Sequence, residues 1–310
     1  MRARMAPPYR GFPTAFTITH APAKDISMSS QRIIMQPSFS LAIPSIVLED
    51  CSTLREKTEK IGTIARAAAI FAVPKICIYG VKNRSRDETK LLKLMLQYLE
   101  LPQYLRKKLY PISEELRFAG LLPPLRIPSH LVHADISKVK VGDVREGIAI
   151  RREGVILADV GLQKLVSLSS DVQPGSRVTV RIESIGNTIP GKPISRKDVG
   201  FYWGYSIETY STLSEMFQRE KPAFTILTSK QGDSIKDRWG TLQERIRNAS
   251  DMLVVFGSPK HGLPEILSRE HIQTDNSMML LNTIPSQAVE TVRTEEAILA
   301  TLSILNLARS

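Results

Sequence analysis

Two loops in the last third of the chain concentrate residue types suited to holding a ligand: Phe256-Gly257-Ser258-Pro259-Lys260-His261-Gly262-Leu263-Pro264-Glu265 and Leu281-Asn282-Thr283-Ile284-Pro285. Glycine lets backbone come close to a flat, neutral group such as a purine edge. Each loop follows a short apolar run, Met252-Leu253-Val254-Val255-Phe256 and Met278-Met279-Leu280-Leu281, of the length expected for a buried parallel strand. Both loops therefore sit at strand carboxyl ends, where open α/β sheets place ligands. A third loop, Thr228-Ser229-Lys230-Gln231-Gly232-Asp233, follows a predicted strand at 223–227, and three such loops can converge on one pocket. The spacing Gly257…Gly262 is also that of a phosphate-binding loop. Leu263-Pro264 stand where that chemistry requires Lys and Ser or Thr, which argues against a nucleoside triphosphate.

The elements that would position these loops follow from periodicity. Leu41-Ala42-Ile43-Pro44-Ser45 and 73–79 read as strands. Between them, at 53–71, Leu54, Ile61, Ile64, Ala65 and Ala68 recur at helical spacing. Strand, helix, strand implies a parallel α/β unit. A second helix runs from Asp87, a candidate cap, through Leu91, Leu92, Leu94, Met95 and Tyr98. The α/β texture resumes at Phe201-Tyr202-Trp203-Gly204-Tyr205 with a helix near 214–219. It ends in an apolar helix opened by Thr294 as N-cap, with Glu295 and Glu296 in its first turn. Residues 127–199 differ. Short, often alternating runs at 144–150, 154–159, 164–168 and 177–182, separated by Gly, Pro, Asp and Ser, predict a small antiparallel barrel inserted into the α/β domain.

Among 310 residues, 42 Lys+Arg against 31 Asp+Glu give a net charge of +11, which favours a polyanionic partner, RNA or DNA, over an anionic metabolite. A merely solvated basic surface is the other reading. The run Pro102-Gln103-Tyr104-Leu105-Arg106-Lys107-Lys108-Leu109-Tyr110-Pro111 offers Arg106, Lys107 and Lys108 for phosphates and Tyr104 or Tyr110 for stacking; alternatively it is a solvated helix face with its tyrosines in the core. The barrel segment adds Arg145, Arg151, Arg152, Arg177, Arg181, Lys192, Arg196 and Lys197, with few aromatics, so phosphate and shape contacts are expected there. His130, His133 and Asp135 could be drawn as a metal cluster, but no further ligand pair lies nearby and no metal is expected. Cys51 and Cys77 have neither disulfide-framework nor zinc spacing and fit packing in a reducing cytoplasm. Residues 1–38, with Arg2, Arg4, Arg10 and five prolines, read as a flexible basic tail. They contain no run long enough for a signal peptide or membrane span, and leave Met28 and Met35 as alternative starts.

The segments VVFGSPKHGLPEI and LLNTIPSQAVETVRTEEAILATLSILN, with Tyr202-Trp203-Gly204-Tyr205 upstream, resemble the SPOUT methyltransferase superfamily. More narrowly, they are similar to an archaeal and eukaryotic branch of RNA methyltransferases carrying an OB-like insertion. The resemblance runs from about Phe39 to the C-terminus. It implies a SPOUT-type parallel sheet with a C-terminal trefoil knot formed by 39–126 and 200–310, an OB-like RNA-binding insertion at 127–199, and usually a homodimer. It implies S-adenosylmethionine as cofactor, held by Gly257, Gly262 and Leu263 of one loop and Leu281, Asn282, Thr283 and Ile284 of the other, with Thr228 and Gln231 at its edge. The implied reaction is methylation of ribosomal RNA, at N3 of a uridine in relatives, with Arg106, Lys107, Lys108, Arg151 and Arg152 as RNA contacts. Removing the N3 proton calls for a base or a neighbouring cation, for which Arg293, Glu265 and Lys260 are candidates. Arg293 could equally pair with Glu290 or Glu296. Glu208 and Gln231 depart from the resemblance, standing where eukaryotic relatives carry Arg. The competing function is an RNA-binding ribosome-assembly protein with little or no methyl transfer.

Overall fold

A computed structural model describes residues 38–81, 86–131, 134–170, 172–258 and 260–309. Residues 1–37 of the expected basic tail, with both alternative starts, lie outside them.

Six parallel strands form one sheet in the order β11-β9-β10-β1-β2-β8: β1 (Ser38–Pro44), β2 (Lys75–Tyr79), β8 (Ser206–Tyr210), β9 (Phe224–Ser234), β10 (Asp251–Val255) and β11 (Met278–Asn282). The apolar runs are continuous because both faces of the sheet are covered. Leu41 and Ile43 of β1 face one core, with Met252 and Val254 of β10; Ala42, Leu253 and Val255 face the other. The first face carries helices α1 (Leu54–Ile70), α2 (Arg86–Glu100), α5 (Trp239–Asn248) and α7 (Thr294–Ala308). The second carries α4 (Leu213–Glu220) and α6 (Leu263–Arg269). Helix α1 begins where its sequence says: Thr53 Oγ1 accepts from Glu56 N at 3.2 Å while the Glu56 carboxylate accepts from Thr53 N, a reciprocal capping box. Asp87, expected as a cap, instead lies inside the first turn of α2 as a helix acid.

Between α2 and β8, the chain first forms a short helix α3 (Gln103–Leu109). It then builds a closed five-stranded barrel from β3 (Val144–Arg152), β4 (Val155–Asp159), β5 (Val166–Leu168), β6 (Arg177–Ile182) and β7 (Ile189–Ile194), in the order β3-β4-β5-β7-β6. All neighbours are antiparallel except β5 and β7, and β6 closes onto β3. Valine and isoleucine side chains, Val160, Val166, Val180, Ile182 and Ile189 among them, fill its interior.

A buried ionic network joins barrel to sheet domain. Arg177 donates to Glu100 at the end of α2 (2.6 Å) and to Glu146 of β3 (2.6 Å); Arg196 pairs with Glu100; Thr179 and the Trp203 indole N–H donate to Glu146. Glu146 is fully buried, and its charge is tolerable only because two guanidiniums and two neutral donors surround it. Removing one member of such a pair typically costs about 3–5 kcal/mol. Arg177 and Arg196 are therefore corrections to the list of RNA-facing cations. So is Arg145, which is buried with only 4% of its surface exposed.

The residues that could be drawn as a metal cluster have other surroundings. His130 Nε2 donates to the Glu100 carbonyl at 2.8 Å, and burial holds its imidazole neutral, with the pKa pushed down to about 4. Asp135 accepts from Ser137 N in a short 3-10 turn, and His133 lies outside the described residues. Among the described residues no group of acidic, His and Cys side chains could hold a metal ion, and no helix is long and apolar enough to cross a membrane.

Candidate functional site

The sheet order brings β9, β10 and β11 side by side, so the segments at their carboxyl ends must meet. They enclose a cleft of about 430 Å³, within the range of small-molecule sites. Of the nine residues expected to hold a cofactor, eight line it: Thr228, Gln231, Gly257, Gly262, Leu263, Asn282, Thr283 and Ile284. Leu281 does not. It is fully buried beneath the cleft in the core that α7 covers, because alternate residues of β11 point to opposite faces.

The first wall is not a free loop but a bulge within β9. Leu280 pairs with Leu227 and Leu281 with Asp233, so 228–232 bow out of the ladder while the strand continues to Ser234. Two side chains fix the bow. Thr228 Oγ1 donates to the Val255 carbonyl at 2.9 Å, and Asn282 Nδ2 donates to the Lys230 carbonyl at 3.2 Å. The other end of the same amide, Asn282 Oδ1, accepts from Ile284 N at 3.0 Å and folds the third wall back on itself. Gly232 is required where the bulge crosses β11: a Cβ there would stand 2.8 Å from the Leu280 carbonyl carbon and oxygen.

The second wall turns sharply after β10. Ser258 N donates to the His261 carbonyl at 3.0 Å, and His261 N to Ser258 Oγ at 2.9 Å. A Cβ on Gly257 would lie 2.8 Å from Leu263 N, so the turn closes only on glycine. The expected loop through Glu265 ends earlier: Gly262 is the N-cap of α6, and Pro264 sits in its first turn, where a missing N–H is harmless.

Helix α7 seals the floor. Its N-cap is Arg293 rather than the expected Thr294, with Glu296 accepting from Arg293 N at 3.0 Å. Thr294 is the first helical residue, and its hydroxyl donates to the Gly257 carbonyl, tying helix to second wall. Thr283 and Thr301 share a buried hydroxyl hydrogen bond of 2.7 Å.

The three acid–base candidates separate. Glu265 lines the cleft, but its carboxylate is engaged by His261 Nδ1 (3.1 Å) and Arg269 (2.6 Å). Lys260 and Arg293 do not line the cleft, though each is flanked closely in sequence by residues that do. Among the described residues, Arg293 forms no ion pair with Glu290 or Glu296. Glu208 lies on β8, at the opposite edge of the sheet from β9 and β11.

The expected RNA-facing set also divides. Arg106 is turned inward, 9% exposed, its guanidinium donating to the Leu101 and Leu99 carbonyls at 3.0 Å each and stacked 4.8 Å over the Tyr98 ring. The phosphate role expected of it is therefore corrected: its donors already serve the α2–α3 turn. The core reading also holds for the tyrosines. Tyr104 donates to the Glu146 carbonyl at 2.7 Å, and Tyr110 packs edge-on to Tyr98. Lys107 is exposed, and Lys108 pairs with Asp159 of β4. Arg151 and Arg152 are exposed at the β3–β4 hairpin, whose two-residue turn, Glu153-Gly154, has positive φ at both positions.

A family model described as "Putative RNA methyltransferase" matches residues 38–305, which is nearly all of the described fold. The chain belongs to this RNA methyltransferase family. It is 32% identical over 305 residues to the human 28S rRNA (uridine-N(3))-methyltransferase, covering 86% of this chain and 77% of that protein. It is also 32% identical over 307 residues to the Drosophila melanogaster protein of the same name, again with 86% of this chain covered but only 61% of the fly protein's length. An uncharacterized protein of Haloarcula marismortui is 31% identical over 285 residues, covering 86% of this chain and 98% of that one. As an RNA methyltransferase the chain needs a methyl donor, and the cleft suits one by its size and by the backbone and neutral polar groups that converge on it.

Close backbone approach predicts how the methyltransferase tolerates added methyl groups. Gly232→Ala and Gly257→Ala should each lower Tm by several degrees. Gly262→Ala, where the nearest atom to a new Cβ is 3.7 Å away, should leave Tm within about a degree of wild type. Equal Tm values for all three in thermal denaturation would contradict this description of the walls.

Proposed function

We propose that this chain is an S-adenosylmethionine-dependent methyltransferase that modifies a base of ribosomal RNA, the N3 position of a uridine. In this reading its sheet domain is of SPOUT type with a C-terminal trefoil knot, its barrel is an OB-like RNA-binding module, and it works as a cytoplasmic homodimer. The observation that carries the reading is the convergence of three strand-end segments on one cleft in a chain of the RNA methyltransferase family. The printed activity of the human and fly relatives supports the choice of uridine N3. The barrel's strand order, with its single parallel pair, supports the OB-like assignment.

When bound, the cofactor supplies a methyl group on a sulfonium, and transfer needs an acceptor lone pair held in line with it. Backbone of the Gly257–Leu263 and Asn282–Ile284 walls holds the adenosine, with Thr228 and Gln231 at its edge. The target base is swung out of its stack to reach the cleft. Its N3 proton must leave for the lone pair to form. Of the three candidates Glu265 is committed to His261 and Arg269, so the proton passes to solvent water and a cation beside the base favours the N3 anion. Arg293 and Lys260, which form no ion pair among the described residues, are the two that remain of the three expected candidates. Arg151, Arg152 and Lys107 hold flanking phosphates.

The direct test is transfer of labelled methyl from S-adenosylmethionine to unmodified ribosomal RNA, followed by nucleoside mass spectrometry. The expected product is 3-methyluridine at one position. RNA that is bound but never labelled would overturn the enzymatic reading in favour of an assembly protein.

The RNA-contact assignment makes a separate prediction. Arg151→Glu with Arg152→Glu should weaken RNA binding and reduce the slope of log K against log salt by about 1 to 2, since each lost phosphate contact removes roughly 0.7–0.9. Arg106→Ala should lower thermal stability without changing that slope. A slope unchanged by the double variant, or altered by Arg106→Ala in a folded protein, would refute the assignment.

A further inference from the structure

Two charged residues of the cleft lining, Lys230 and Glu290, form no ion pair among the described residues. Lys230, in the β9 bulge, reaches over to the 287–291 segment, where its Nζ lies 3.4 Å from the Glu290 carbonyl oxygen. The Glu290 carboxylate makes no ion pair among the described residues. Glu265, the other carboxylate in the lining, is already neutralised by Arg269. The cleft lining therefore carries one ammonium, whose contact is a main-chain carbonyl at 3.4 Å, and one carboxylate, neither of them ion-paired among the described residues. The backbone is fixed at both residues. Asn282 Nδ2 pins the Lys230 carbonyl, while Gln287 Nε2 donates to the Val289 and Glu290 carbonyls at 2.9 and 3.1 Å, which fixes the chain on the other side.

Two opposite charges in the lining of one cleft, neither of them ion-paired among the described residues, are complementary to a zwitterion. An α-amino acid offers a carboxylate and an ammonium one carbon apart. A phosphate would satisfy Lys230 but meet repulsion from Glu290, so the pair selects against an anion alone. Building on the cofactor reading above, we propose that Lys230 and Glu290 form the subsite for the α-amino-acid tail of the methyl donor, Lys230 on its carboxylate and Glu290 on its ammonium. The neutral walls around Thr228, Gly257 and Asn282 are left to the adenosine. Affinity then divides into a nucleoside part that depends on backbone shape and a tail part that depends on these two charges.

The test uses the full chain and two ligands that differ only in the tail: S-adenosylhomocysteine, which has it, and 5′-methylthioadenosine, which ends in a methylthio group. Calorimetric titration should show wild type favouring S-adenosylhomocysteine. Lys230→Met and Glu290→Gln should each weaken S-adenosylhomocysteine about tenfold, as loss of one charge-assisted hydrogen bond does, and leave 5′-methylthioadenosine unchanged. If both ligands bind wild type and the variants weaken both equally, or neither, the tail assignment is overturned while the cofactor reading stands. If Lys230→Met lowers RNA affinity and spares S-adenosylhomocysteine, the ammonium serves the substrate and the proposal is likewise overturned. If folded wild type binds neither ligand, the cofactor reading falls and the subsite with it.

Discussion

One side-chain amide sets the shape of the cleft. Asn282 stands at the end of β11, where the ladder with β9 breaks register between Leu280 and Leu281. Its Nδ2 holds the Lys230 carbonyl of the bowed segment, its Oδ1 holds Ile284 N of its own loop, and its main-chain carbonyl accepts from Ile235 N beyond the bulge. A side chain with both a donor and an acceptor is needed there: Asp would lose the donor to Lys230, and Leu would lose both contacts. The walls built on β9 and β11 thus share one residue. The wall built on β10 joins them through Thr228 to Val255 and Thr294 to Gly257. The three segments are consequently tied to one another, as the walls of a site must be if it is to hold a donor and an acceptor in line.

A second constraint operates some distance away, where Glu100 and Glu146 meet Arg177 and Arg196. Buried ion pairs add little net stability compared with apolar packing, but their geometry is demanding. Here they fix the barrel against α2 and the Trp203-containing segment, with Tyr104 and Trp203 both engaging Glu146. The basic surface of the barrel is reduced by this arrangement, since Arg177 and Arg196 are consumed in holding it and Arg145 is buried. Arg151 and Arg152, on a tight hairpin, remain outward. The net charge of +11 accordingly overstates the number of cations free to meet a polyanion.

The sequence is most readable where one physical demand dominates. Buried parallel strands leave apolar runs of fixed length, and β1, β2, β10 and β11 lie within a few residues of their expected positions. Thr53 and Glu56 announce the start of α1 directly. Strand β7 is not legible because Pro190, Gly191 and Pro193 read as a turn; both prolines nevertheless stand in register with Ser167 and Val180, and the Pro190 carbonyl accepts from Glu183 N at 3.0 Å. The continuation of β9 past Thr228 is hidden by its polar, glycine-bearing bulge, and helix α5 by the weak apolar stripe of Leu242 and Ile246. Eight of nine expected cleft residues are legible from loop chemistry. Leu281 is not, because facing is decided by strand pleat rather than residue type. Arg106 looks like its neighbour Lys107, and nothing local distinguishes an arginine that caps carbonyls of the preceding turn from one that meets a phosphate.

Every chemical step proposed for this chain depends on the cleft being a cofactor site, and a calorimetric titration with S-adenosylhomocysteine tests that whichever RNA is the substrate. The prediction is saturable binding at one site per chain in the wild type and none in a folded Asn282→Arg variant, whose guanidinium fills the space between the walls and frees both loops. Binding of unchanged affinity in that variant, or no binding by folded wild type, would contradict it.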